Sequence, residues 1–376
     1  MRRLKLCLSA CLLGLAAPAV AAPHYKITTL AAFGAPSAAN GVNSHGQVTG
    51  WAYSADQNSI YGVVWDHGVA QAVTPNNYGY LTAINEGGVS VGQVTDATSS
   101  SSAIIAGGAI TSYDYTSPGY SAFNAVNNVG GAVGQAMIDE QGLIFHATSL
   151  VGGQLVDLGA LGGDISNATG INDSGLIAGW SEIMPGDSTA HAFSYDAGGM
   201  HDLGTMAGVY SAAYSLNNDG VIVGETTYSD AYPDATHAYT FKDGLWTDLG
   251  ALAGGVNISS AAWAINDAGQ VVGASGLVPA DVSNLHATLW QDGRIYDLND
   301  LIAPGSGWLL QGATAISSNG LIVGYGLHDG VQGAFLLQAD GVPEPASWAL
   351  MLAGFGAVGA GLRRARASGG RTARHA

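Results

Sequence analysis

Cysteine is almost missing from this chain. Its two cysteines, Cys7 and Cys11, both lie in the first eleven residues. That segment reads as a cleaved leader, so the mature protein is expected to hold no thiol. Disulfides, thiolate metal sites and cysteine nucleophiles are excluded. Cations are nearly as scarce. Three of the 11 Lys and Arg are Arg2, Arg3 and Lys5, and five lie at or after Arg363. Only Lys26, Lys242 and Arg294 remain between residues 22 and 341, against 27 acidic residues, a net of about −24 with His neutral. Nucleic acid is excluded, because binding it requires Lys and Arg to displace counterions. Phosphoryl transfer lacks its basic clamps, and a sialidase-type arginine grip cannot be assembled. Anionic lipid and acidic polysaccharide would be repelled unless divalent cations bridged them. No Gly-x-Ser-x-Gly elbow, no His-Glu-x-x-His and no phosphate-cradling Gly loop with Lys occurs.

Glycine, in contrast, is abundant: 56 of 376 residues, while charged residues make up 10%. This is roughly twice the usual glycine share and under half the usual charge, a turn-rich β composition. The glycines are placed periodically. Asn-x-x-Gly-x-x-x-Gly starts at Asn43, Asn85, Asn127, Asn172, Asn217 and Asn266, and again at Ser317 with Ser in the first place. The starts are 42, 42, 45, 45, 49 and 51 residues apart. A period in that range indicates a repeat array.

Within one unit, Asn172 to Gly175 separates the apolar runs ending at Ile171 and beginning at Leu176. Asn first and Gly fourth suit a type I turn. Asp173, Asp219 and Asp267 lie in such turns and read as turn formers, with a weak calcium site as the alternative. The second glycine (Gly50, Gly92, Gly134, Gly179, Gly224, Gly273, Gly324) falls in a strand pattern, where it is costly unless a bulge or close backbone approach needs it. A second hairpin follows: His191-Ala192-Phe193 with His201-Asp202-Leu203-Gly204. His146, His237 and His286 recur similarly, each 11 residues before Asp157, Asp248 and Asp297. Asp243-Gly244 and Asp292-Gly293 are hairpin turns.

Four strands per unit predict a seven-bladed β-propeller over residues 22–341, rather than an open solenoid. The last unit lacks its Asp-Leu-Gly strand. The leading strand Tyr25-Lys26-Ile27-Thr28-Thr29-Leu30 is expected to complete it, with Ile27 to Leu30 against Ala334 to Leu337, closing the ring.

The termini carry addresses. Residues 1–21 read as a secretory signal peptide: a basic start, an apolar stretch over 6–15, and Ala19-Val20-Ala21 before a mature start at Ala22. Leu8-Ser9-Ala10-Cys11 also resembles a lipoprotein box. In residues 342–376, Pro343-Glu344-Pro345 precedes an apolar helix expected at 346–362, short for a membrane span, and a basic tail at 363–376 with Arg363, Arg364 and Arg366. Such a tail favours the cytoplasm.

That order resembles the PEP-CTERM sorting signal of Gram-negative bacteria. The resemblance implies processing by signal peptidase and by an exosortase, with the C-terminal helix holding the chain in the membrane beforehand. It also implies an envelope or extracellular place in exopolysaccharide-producing, biofilm-forming cells. The repeats resemble the extracellular HAF repeats: His191-Ala192-Phe193 matches the naming triplet, and His237-Ala238-Tyr239, His146-Ala147-Thr148 and His286-Ala287-Thr288 match in part. Units one and two depart, with Tyr61-Gly62-Val63-Val64-Trp65 and Ser102-Ala103-Ile104-Ile105.

The His and Asp are expected to tie adjacent strands, because a catalytic pair would have to recur four times with no nucleophile beside it. Metal binding by the His is the lesser alternative. Trp51, Trp180, Tyr325, Trp65 and Trp290 are expected mainly to pack between blades, with stacking on sugar as the other use. Three functions follow: a non-enzymatic binding protein for extracellular polysaccharide or a surface protein, without a cofactor; a glycan-active enzyme using channel carboxylates; or a ligand-free spacer.

Overall fold

The computed structural model describes residues 22–340, apart from 75–77, 116–118, 140, 187–188, 230, 233–234 and 279–283. They form seven four-stranded antiparallel sheets. Blades 1 to 6 are consecutive: 37–72, 79–113, 121–157, 166–204, 211–248 and 260–297. Blade 7 takes three strands from 308–339, and its fourth is the N-terminal strand Tyr25–Leu30. The register runs Tyr25↔Ala339 through Ile27↔Leu337 to Leu30↔Ala334. The ring is therefore closed by pairing the two ends of the domain, and no open solenoid forms.

Each blade repeats the same local physics. The Asn-x-x-Gly turn joins the first strand, at the channel, to the second; Gly46 N donates to the Asn43 carbonyl at 3.1 Å. The outer hairpins turn on two residues of positive φ, as at Asp243 (50°) and Gly244 (81°), the geometry that matches strand twist. A short 3-10 turn, Leu298–Leu301, leads from blade 6 into blade 7, a feature the repeat pattern does not signal.

The second glycine has a steric cause. In every blade the first strand slips register by one residue opposite it, between Ala39 and Gly41 in blade 1 and between Phe123 and Ala125 in blade 3. The bulge drives a carbonyl of the first strand into the place a Cβ would occupy. A Cβ at Gly50 would sit 2.0 Å from the Ala38 oxygen, and one at Gly134 would sit 1.9 Å from the Ala122 oxygen.

The core lies between blades. Leu30 and Ala334 of blade 7 pack with Ala39, Val48, Val63 and Trp65 of blade 1. Trp65 is fully buried, and its indole N–H donates to the Ala31 carbonyl at 2.7 Å. Trp290 is likewise buried in the seam of blades 5 and 6.

The signal peptide expected at 1–21, Pro343, Glu344, Pro345, Arg363, Arg364 and the helix expected at 346–362 lie outside the described residues. Among the described residues no helix is long and apolar enough to cross a membrane.

Candidate functional site

The first strands of all seven blades line a central channel with a cavity of about 310 Å³. Its walls show which polar groups serve the scaffold. At one mouth the motif asparagines form a circumferential belt. Asn43 Nδ2 donates to the Asn85 carbonyl, Asn85 to Asn127, Asn127 to Asn172, Asn172 to Asn217, Asn217 to Asn266, and Asn266 to the Ser317 carbonyl, all at 2.9–3.2 Å. The other side-chain atom, Oδ1, accepts the backbone N–H four residues on, as from Leu176 at 3.0 Å. Ser317 has no amide to continue the belt. Asn319 substitutes by donating to the Ser44 carbonyl at 2.9 Å.

The next turn position forms a second ring of alternating amides and carboxylates. Ser44 N donates to Glu86 and Glu86 N to Asn128 Oδ1, each at 3.0 Å. Asn128 N donates to Asp173 at 2.8 Å, Asp173 N to Asn218 Oδ1 at 2.9 Å, and Asn218 N to Asp267 at 2.9 Å. Burial pushes the Glu86 carboxyl up, but donors from Ser44 and Ser318 and the nearby His45 outweigh it and hold it below its ordinary value. Asp173 is held low the same way, burial being overcome by Asn128 and Asn218.

A third belt lies deeper, at the bulged residues. Asn40 Nδ2 donates to the Leu81 carbonyl at 2.7 Å. Thr82, Thr169 and Thr314 donate to the carbonyls of Phe123, Ala213 and Ala39 at 2.7–2.8 Å, and Asn124 to that of Ala168 at 2.9 Å. Blades 5 and 6 carry Tyr214 and Trp263 here instead. Tyr214 donates to Glu225 at 2.7 Å, and Thr236 donates to the same carboxylate at 2.8 Å. Burial, then the charge of Glu225, raises the Tyr214 pKa. The Trp263 ring stacks near Tyr325, 6.4 Å between centroids, over Gly312, where a Cβ would lie 2.6 Å from the indole.

The histidines are at the outer rim. Nδ1 lies 2.9 Å from Asp157 in His146, 3.0 Å from Asp202 in His191, 3.0 Å from Asp248 in His237 and 2.6 Å from Asp297 in His286. Each carboxylate also accepts the N–H two residues on, from Gly159, Gly204 and Gly250 at 2.7 Å and from Asn299 at 2.9 Å. The first serine of the following blade completes a latch. Ser166 Oγ donates to the Gly159 carbonyl at 2.6 Å and accepts from Ala147 N at 2.7 Å. Ser211 and Ser260 repeat this against Gly204 and Gly250. These hydroxyls bond to backbone rather than to imidazole, so the Ser, His and Asp do not form a nucleophilic triad. Among the described residues no three His, Cys, Asp or Glu groups converge as metal ligands.

The seam between blades 1 and 2 is built differently. Gly62 stands where His-Ala blades have Ala, and Gly79 where the next blade begins with Ser. Thr74 fills both spaces: its hydroxyl accepts from Gly62 N at 2.8 Å, and a Cβ at Gly79 would lie 2.8 Å from its methyl. Beside this seam is a second cavity of about 440 Å³, lined by Asn40, Trp51, Tyr53, Ile60, Tyr80 and Thr82. Trp51 and Tyr53 meet edge to face at 6.0 Å. Sequence reasoning singled out Trp51 but missed Tyr53 and Tyr80. The available signal was Tyr80 itself, since Ala occupies the matching position in blades 1, 3, 5 and 6.

Residues 341–366 match the PEP-CTERM protein-sorting motif, which marks the chain as an exosortase-sorted protein, secreted and associated with the envelope. No curated protein matches the chain. Among solved structures, a TolB-like chain from Agrobacterium tumefaciens is 13% identical at a TM-score of 0.44, over 73% of this chain and 95% of that one. The β-propeller domain of the Trilobed protease from Pyrococcus furiosus is 11% identical at a TM-score of 0.48, over 85% of this chain and 95% of that one.

Proposed function

We propose that this chain is a non-enzymatic binding propeller of the HAF-repeat kind, displayed at the surface of a Gram-negative, exopolysaccharide-producing cell. Residues 1–21 direct export, 22–341 form the binding ring, and 342–376 serve as the sorting segment. Exosortase reads Pro343-Glu344-Pro345 while the helix 346–362 and the arginines at 363 and 364 hold the chain in the membrane. One observation carries the binding reading. The repeated polar groups are engaged in belts and latches, whereas Tyr53 and Tyr80 of the cavity beside blades 1 and 2 have no aromatic counterpart at the matching positions of the other blades. Specificity resides in such departures from a scaffold.

The rival reading is a glycan hydrolase using channel carboxylates. Such an enzyme needs one carboxyl raised to act as an acid at neutral pH. Glu86 and Asp173 are instead held low, which disfavours that use of the mouth ring. The deciding experiment is a glycan-array and calcium-binding screen on residues 22–341. Binding of an extracellular glycan without its cleavage is the expected result. A folded β spectrum with no binding at all would leave only the spacer role.

A further inference from the structure

The cavity beside the seam of blades 1 and 2 has a chemistry that narrows its ligand. Three aromatic side chains line it: Trp51 and Tyr53 from the second strand of blade 1, and Tyr80 from the first strand of blade 2. Ile60 completes the apolar wall, and no charged residue is in the lining. The polar groups are few and placed among rings. Asn40 Nδ2 is engaged with the Leu81 carbonyl, so its Oδ1 is left to accept from a ligand. The Trp51 indole N–H and the Tyr53 hydroxyl face no protein partner among the described residues. Thr82 is tied to the carbonyls of Phe123 and Val91.

The walls are held before any ligand arrives. Tyr78 OH donates to the Asn58 carbonyl at 2.9 Å, pinning the loop that precedes Ile60 to blade 2. Inside that loop Asp56 accepts from Asn58 N at 3.2 Å and from the Asn58 amide at 2.9 Å. Those bonds, with the Ser54 hydroxyl first among them, hold the Asp56 carboxyl down to about 2. Tyr80 is half-buried, and that burial raises its pKa, with Tyr120 nearby adding to the shift. A rigid site loses little entropy on binding. The Thr74, Gly62 and Gly79 arrangement takes the place of a His–Asp latch at this seam and sets Tyr80 directly after the glycine.

We propose that this cavity is a subsite for a neutral pyranose unit of a polysaccharide. This rests on the binding reading above and names its ligand class. Aromatic faces match the C–H faces of a sugar ring. The amide oxygen, indole N–H and phenol match equatorial hydroxyls. A volume of about 440 Å³ accommodates one to two hexose units. A uronate would meet no cation here and would be repelled by a domain carrying about −24. An aromatic cage for a quaternary ammonium is the competing chemistry, but the lining has no carboxylate to fix such a cation.

The test is titration of residues 22–341, whose ring closes within itself, with neutral hexose trisaccharides of cello-, malto- and laminari- linkage. Choline and trigalacturonate are titrated in parallel, and intrinsic tryptophan fluorescence and calorimetry give the readout. At least one neutral trisaccharide is expected to bind and perturb the emission. Trp51→Ala and Tyr80→Ala should each weaken it tenfold or more, with Trp51→Phe between them and the wild type. Trp180→Ala, at the matching strand position of blade 4, should leave binding unchanged, and it separates loss of the site from general damage to the ring. Neutral-sugar binding that survives Trp51→Ala and Tyr80→Ala would place the site elsewhere and overturn this proposal while leaving the binding reading intact. Preference for choline or trigalacturonate would overturn it also. If no glycan of any class binds, the broader reading fails with it.

Discussion

Two glycines of one motif make a quantitative test of the fold. Gly130 and Gly134 both belong to blade 3, four residues apart, and the sequence marks them equally. Gly130 sits in the turn at φ 90°, with nothing within 4 Å of where an alanine methyl would sit. Alanine there meets only the left-handed backbone cost, about 1–2 kcal/mol, partly offset by a stiffer unfolded chain. Gly134 lies in the strand opposite the bulge. A methyl there would be 1.9 Å from the Ala122 oxygen and 2.8 Å from Phe123 Cα. Both obstacles are backbone, so relief requires opening the bulge. That would disturb Asn124, whose amide reaches the Ala168 carbonyl of the next blade. Overpacking of a soft core costs about 1–3 kcal/mol; against backbone, with a belt bond at stake, the cost should reach or exceed about 3 kcal/mol. The assay is urea denaturation of residues 22–341 by tryptophan fluorescence, comparing midpoints at matched slope. Gly134→Ala should move the midpoint at least twice as far as Gly130→Ala. Equal shifts, or a larger one for Gly130→Ala, would refute the close-approach explanation of the second glycine.

Other outcomes follow from the same geometry. Ser317→Asn supplies the missing amide of the belt and should raise stability by about 1 kcal/mol, read as a higher melting temperature. His237→Ala should cost about 2–4 kcal/mol, because that ring is 3% exposed and stacked on Tyr228 at 4.4 Å. His191→Ala, whose partner Asp202 is half exposed, should cost about 1 kcal/mol in the same melts. Glu86 and Asp173 have folded pKa values below their ordinary 4.5 and 3.8, so their stabilisation is present above those values and lost as pH falls through the lowered ones. Unfolding midpoints should therefore drop as acid is added below pH 4.5, and less steeply in a Glu86→Gln, Asp173→Asn double variant. Deleting residues 25–30 removes buried Tyr25 and Leu30 and bares the edge of Val331–Ala339. Light scattering should then show association in place of a monodisperse ring.

Much of the architecture is local and therefore legible. Asn-x-x-Gly sets a turn through the conformations its own residues permit, and alternating strands flank it, so counting the motif counts the blades. Ring closure is readable too, because the last unit lacks a strand and the first residues supply one of matching length. The side-chain bonds that make the channel are not local. Between consecutive blades they join residues 41 to 51 apart, such as Asn40 with Leu81 and Asn266 with Ser317. Across the closure of blades 7 and 1 they join residues 275 apart, Thr314 with Ala39 and Asn319 with Ser44. All depend on how neighbouring blades face each other. That packing turned the motif asparagines from turn formers into a belt. It identified the backbone that approaches the second glycine as a carbonyl of the bulged first strand. It also gathered Trp51, Tyr53 and Tyr80 around one cavity, since the second strand of blade 1 and the first strand of blade 2 meet only when consecutive blades pack face to face.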